Sequence, residues 1–236
     1  MFQDPMVRTM TFIAGLLVIV FLVTVVSVLV TGVTASSGPR TLTERQVAVA
    51  GAAVRAGSTD VGQWGEYLAA LIGNGQYTTA RDVITRGRAS IDDSGTATFT
   101  LAEARLAAAQ KDYKGAITAA EKVKAQTQKV YDAKITAGGT TERGAKLQGL
   151  PETYYDAVLI QAYAYRDLSE WAKAIAAFDI YIGKNPSAAD ILVDRGNVKI
   201  DAGDRSGAEK DFRTALTYIP DSQDALAGLK KIGASK

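Results

Sequence analysis

Two stretches decide the fold: WAKAIAAFDIYIGKNPSA at residues 171–188 and RSGAEKDFRTALTYIPDS at residues 205–222. Laid over one another, they pair Ala174 with Ala208, Phe178 with Phe212 and Pro186 with Pro220, each 34 residues apart. A fixed period of that length, carrying Ala-x-x-x-Phe ahead of a terminal Pro, marks stacked helical hairpins. Such an array offers partners a groove rather than offering substrates a pocket.

Working outward, the last unit runs from Ala189 to Ser222 and carries Gly196, Gly203, Ala208, Phe212, Ala215 and Pro220. The unit before it, Tyr155 to Ala188, places Ala162, Tyr165, Trp171, Ala174, Phe178 and Pro186 in the same slots. These residues match the small-residue, turn, Ala, Phe and Pro positions of the tetratricopeptide repeat, which the segment resembles closely. It departs from that pattern at Tyr181, where Ala is preferred, and the larger ring is expected to widen or rotate the local packing. Two degenerate units come earlier, both without the Phe and the terminal Pro. Val61 to Ser94 has Trp64, Gly75, Tyr77 and Ala80, and Ala97 to Val130 has Ala104, Tyr113, Ala116 and Ala120. Gly75-Gln76-Tyr77 and Lys111-Asp112 read as their turns. Small residues let two helices approach, and the aromatic fills the space between hairpins. The expected fold is all-α: a solenoid of four hairpins.

Around the repeats, Thr11 to Val33 is a run of 23 uncharged residues rich in Val, Leu, Ile and Phe. As a helix it would span roughly 34 Å, enough to cross a bilayer core. Val33-Thr34-Ala35 resembles a signal-peptide cleavage site, but the run exceeds the usual h-region of about 7–15 residues, which favours an uncleaved anchor. Thr24, Ser27 and Thr31 fall along one side of that helix, a stripe on which another membrane helix would pack. The competing explanation is that each hydroxyl bonds its own preceding carbonyl. Residues 34–60 read as a linker, broken at Ser36-Ser37-Gly38-Pro39, and a leading helix from Thr43 to Ala56 with Val47, Ala50 and Val54 on one face. Residues 131–154 read as an insertion loop around Gly138-Gly139-Thr140-Thr141, with Pro151 starting the next helix. Residues 223–236 read as a capping helix, with Ala225, Leu226, Leu229 and Ile232 on one face.

The chain lacks both Cys and His, which removes thiolate chemistry, the commonest general base and the commonest transition-metal ligand. Its formal charge of +2 is scattered, without the basic stripe of a nucleic-acid binder. Gly139 to Lys146 fails as a phosphate loop, since its Lys is displaced and no Ser or Thr follows it. Asp201 to Asp204 lacks the spacing of a calcium loop, and Asp92-Asp93 reads as a pair of solvated turn residues. No enzyme, cofactor or metal is expected.

In the family that the chain resembles, ligands lie against the first helix of each hairpin. Carried onto matching positions, the resemblance implies partner-binding roles for Arg105, Asp156, Tyr163, Arg166, Asp190, Asn197 and Asp201. The basic clamp for a peptide carboxylate is represented only by Asn197, so an acidic C-terminal tail is not the expected ligand. The expectation is a membrane-anchored adaptor with a protein partner, and the bilayer contacted through residues 11–33. The other reading is an integral accessory subunit of a larger membrane complex. Arg8 on one side and Arg40 and Arg45 on the other leave the Lys/Arg rule without a decisive bias. An extracytoplasmic domain is favoured by analogy with anchored repeat proteins of the bacterial inner membrane.

Overall fold

A computed structural model describes residues 41–92, 95–138 and 149–233. The chain forms two compact units, Met1–Ala48 and Val49–Lys236. The proposed anchor, with Thr24, Ser27 and Thr31, the linker at 36–39 and the segment Gly139 to Lys146 lie outside the described residues. Among those that are described, no helix is long and apolar enough to cross a membrane.

Helix α1 (Leu42–Arg55) opens with a capping box. The Glu44 backbone N–H donates to Thr41 Oγ1 at 3.0 Å, and the Thr41 N–H donates back to Glu44 Oε2 at 3.1 Å. Four hairpins follow in the second unit: α2 (Val61–Gly73) with α3 (Tyr77–Ser90), and α4 (Thr96–Ala109) with α5 (Tyr113–Thr136). The others are α6 (Glu152–Asp167) with α7 (Trp171–Lys184), and α8 (Ala189–Asp201) with α9 (Arg205–Tyr218). Helix α10 (Gln223–Lys231) closes the array, burying Ala225 and Leu229.

All four hairpins turn the same way. Gly75, Lys111, Ser169 and Gly203, at φ of 72°, 63°, 59° and 86°, occupy the left-handed region directly after the first helix. The next N–H in each case, from Gln76, Asp112, Glu170 or Asp204, donates to a first-helix carbonyl at 2.8–2.9 Å. This closes the last turn in the manner of a Schellman motif. Asp112 and Asp204 then cap the second helix by accepting from the N–H of Gly115 and Gly207.

Packing follows the period. Ala80, Ala116, Ala174 and Ala208 are fully buried where paired helices meet. Phe178 and Phe212 are also fully buried. The Phe212 ring lies against the bare backbone of Gly196 on α8 and Gly228 on α10, so only glycine leaves room for it. In the first hairpin Phe99 from α4 fills the comparable space, meeting Gly87 and packing edge-on to Trp64 at 5.8 Å.

One boundary differs from the sequence expectation. Helix α5 continues to Thr136, so Tyr131 to Thr136, read as the start of a loop, are helical. The reason is local: Tyr-Asp-Ala-Lys-Ile-Thr contains neither Gly nor Pro, and the helix stops only ahead of Gly138, at φ 113°.

Candidate functional site: the face of the first helices

The first helices α2 and α4, α4 and α6, and α8 and α10 pack on one another, so the first helices form one layer of the second unit. Between α6 and α8 that packing is slight. Tyr181 of α7, joined to the core around Phe178, lies near Glu152 and Asp156 of α6 and Asp190 of α8. Its phenol is pushed above the usual tyrosine range by burial first, and then by the charges of Asp156, Asp190 and Glu152.

Five of the seven positions suggested by the resemblance fall into two groups, with Arg166 and Asp201 outside both. Arg105, Tyr163 and Asn197 share one repeat position, and Asp156 and Asp190 share another. Arg105 on α4 is committed to Asp156 on α6, an ion pair of 2.8 Å. Tyr163 on α6 donates its hydroxyl to Asp194 on α8 at 2.6 Å. It also packs edge-on to Phe178, with ring centroids 5.4 Å apart. Burial, the hydrogen bond to Asp194 and the charges of Asp194 and Asp190 together raise its pKa well above the usual tyrosine value. The Arg166 guanidinium rests over the same ring at 4.9 Å from the centroid and pairs with Asp167 at 2.8 Å. Arg105 with Asp156, and Tyr163 with Asp194, join neighbouring first helices, while Arg166 stays within its own helix.

Asn197 occupies the next step of this series, where the facing helix is α10. Together with Asp190, Asp194 and Asp224 it lines a groove of about 580 Å³ between α8 and α10. Val193, Ile219, Ala227 and Gly228 supply its apolar lining, and Lys231 is its one cation. Among the described residues, Asp190, Asn197 and Asp224 have no side-chain partner. Asp201 ends α8, exposed, and is not part of the groove.

Sequence reasoning missed Asp194, Asp224 and a second polar seam between hairpins. In that seam Glu103 pairs with Arg88 at 2.9 Å. Gln161 accepts from Lys124 at 3.0 Å and donates to Glu121 at 2.6 Å. Arg195 pairs with Asp179 at 2.6 Å. Gln161 and Arg195 are 34 residues apart, a signal that was present in the sequence.

No family model matches the chain, and no curated protein sequence does. Among solved structures, a tetratricopeptide repeat protein from Parabacteroides merdae superposes with a TM-score of 0.51 at 16% identity. The alignment covers 73% of this chain and 60% of that one, so the chain spans about 60% of its length. YrrB, described as a TPR protein with an unusual peptide-binding site, aligns at 16% identity over 77% of this chain and 97% of its own, with a TM-score of 0.33. The similarity to the Parabacteroides structure, with the shared hairpin turns and the 34-residue core pattern, identifies the fold as an all-α solenoid of the tetratricopeptide-repeat type.

Proposed function

We propose that this chain is a non-catalytic adaptor that holds a protein partner against its first-helix layer, tethered to a bilayer by residues 11–33. The observation that carries the reading is the open groove between α8 and α10, lined by Asp190, Asn197 and Asp224 with no internal partners. Uncommitted polar groups beside an apolar lining are what a docking site requires, because the ligand satisfies them without first breaking a native contact. Lack of His and Cys fits a binding role, and the long uncharged segment supplies the tether.

A photo-crosslinking side chain at Asn197, installed in the full chain in cells, tests this. A discrete protein adduct is expected there, and none at Lys210 on the opposite face of the last hairpin. Adducts at Lys210 alone would move the interface to the second helices. Orientation is tested separately with the cysteine-free background. An introduced cysteine at Lys210 is expected to react with an impermeant reagent in intact cells, and protection until lysis would reverse the proposed outward orientation.

A further inference from the structure

We propose that the groove between α8 and α10 takes a basic segment of the partner, one that places Lys or Arg side chains between Asp190 and Asp224. This rests on the adaptor reading above and specifies the chemistry of its ligand.

Charge is segregated between the two helix layers of the second unit. The formal charges of the first helices α2, α4, α6 and α8 are −1, 0, −2 and −1, and that of the capping helix α10 on the same layer is +1. Those of the second helices α3, α5, α7 and α9 are +2, +3, +1 and +1. A nearly neutral chain therefore presents an acidic layer and a basic one. Opposite charge on a partner steers it to the acidic layer, and like charge is repelled.

The two helices that wall the groove cancel in formal charge, but the residues that line it, three aspartates and one lysine, are net acidic. Of its three aspartates, Asp194 accepts from Tyr163, while Asp190 and Asp224 are uncommitted among the described residues. Each of these two lies in the first turn of its helix, where the helix dipole favours a carboxylate. Asp156, Asp167, Asp179 and Asp211 each pair with a cation within 2.9 Å, whereas the exposed Asp82, Asp201 and Asp221, like Asp190 and Asp224, pair with none among the described residues. Val193, Ala227 and Gly228 offer an apolar surface suited to the aliphatic stem of Lys or Arg. At the margin, the Tyr163 face already carries the guanidinium of Arg166. Lys231 opposes this pattern at one point of the lining, against three carboxylates.

The experiment uses the full chain in detergent and three labelled peptides of equal length, built from Gly and Ser with Arg, Glu or Gln at alternate positions. Binding is read by fluorescence anisotropy at low and high salt. The Arg peptide is expected to bind most tightly, and to weaken about tenfold in Asp190→Asn/Asp224→Asn, with a shallower salt dependence. Both side chains are exposed and free of internal bonds, so circular dichroism should show the variant folded. Lys210→Gln, on the basic layer, is expected to leave the affinity unchanged. Equal binding of the Arg and Glu peptides, or an unaffected double variant, overturns the proposal. A photoprobe at Asn197 separates the two levels. If it labels the Gln peptide as well as the Arg peptide, the basic specificity is wrong and groove docking stands. If it labels none of them, both fall.

Discussion

Arg195 of α8 grips Asp211 of α9 with two hydrogen bonds, Nε to Oδ2 at 2.9 Å and Nη2 to Oδ1 at 2.7 Å. The Asp211 side chain is only 3% exposed, and it also receives Lys199 at 2.9 Å, while Arg195 reaches back to Asp179 on α7. Burial works against the charge of Arg195, but the bonds and charge of Asp211, with Asp179 behind them, more than offset it and raise its pKa. Asp211→Ala leaves two cations facing one another in a buried seam. Such a change is expected to cost about 3–5 kcal/mol, measured by denaturant unfolding. A loss no larger than that of an ordinary surface substitution would mean the seam is solvated.

The aromatic wedges make a second prediction. Phe178→Ala and Phe212→Ala each empty a fully enclosed site and are expected to cost about 3–5 kcal/mol. The converse change tests the geometry more sharply. A Cβ on Gly228 would stand 2.5 Å from the Phe212 ring, so Gly228→Ala is expected to cost about 1–3 kcal/mol by overpacking. An unchanged midpoint for Gly228→Ala would place the ring elsewhere.

The turns predict gains as well as losses. Lys111 and Ser169 hold left-handed backbone that Gly75 and Gly203 adopt freely, and both side chains are exposed. Lys111→Gly and Ser169→Gly are each expected to stabilise the domain by about 1 kcal/mol, and Gly203→Ala to destabilise it by a similar amount. Thermal or denaturant midpoints that move the other way for both glycine variants would refute the shared turn.

Tyr163 gives a pH dependence. Its pKa is higher in the folded state than in the unfolded chain, so the folded protein keeps that proton longer. The stabilisation is complete below the unfolded pKa of about 10 and is lost as pH rises above it. Unfolding free energy measured upward from pH 8 is expected to decline beyond that point, and Tyr163→Phe to lessen the decline. The same slope in both proteins would assign it to other tyrosines.

The hairpins were legible because each one repeats a local instruction. Ala at the close-packing slot, a turn residue and a large ring recur at a fixed spacing, and each acts through neighbours that the period itself brings together. The site was legible only in part. Asp190 and Asn197, read from their place on the first helix, line the groove between α8 and α10. Arg105, Asp156 and Tyr163, read in the same way, pair with residues of a neighbouring hairpin. Whether a polar side chain binds a partner or its own neighbour depends on the rotation between hairpins, which no single repeat encodes. Asp224 was hidden for a related reason: it belongs to the capping helix, outside any repeat. The end of α5 was misplaced because Gly138-Gly139 drew the boundary early, while the six residues before it favour helix.

The first-helix face near α8 and α10 is proposed to carry the partner. The most direct measurement is the amount of partner retained by the full chain after gentle detergent extraction from cells. Asp190→Asn/Asn197→Ala/Asp224→Asn is compared with Lys210→Gln/Thr214→Ala/Thr217→Ala on the opposite face, both confirmed as folded. Loss of the partner from the first variant and full retention by the second are expected. Full retention by the first, with loss from the second, would contradict it.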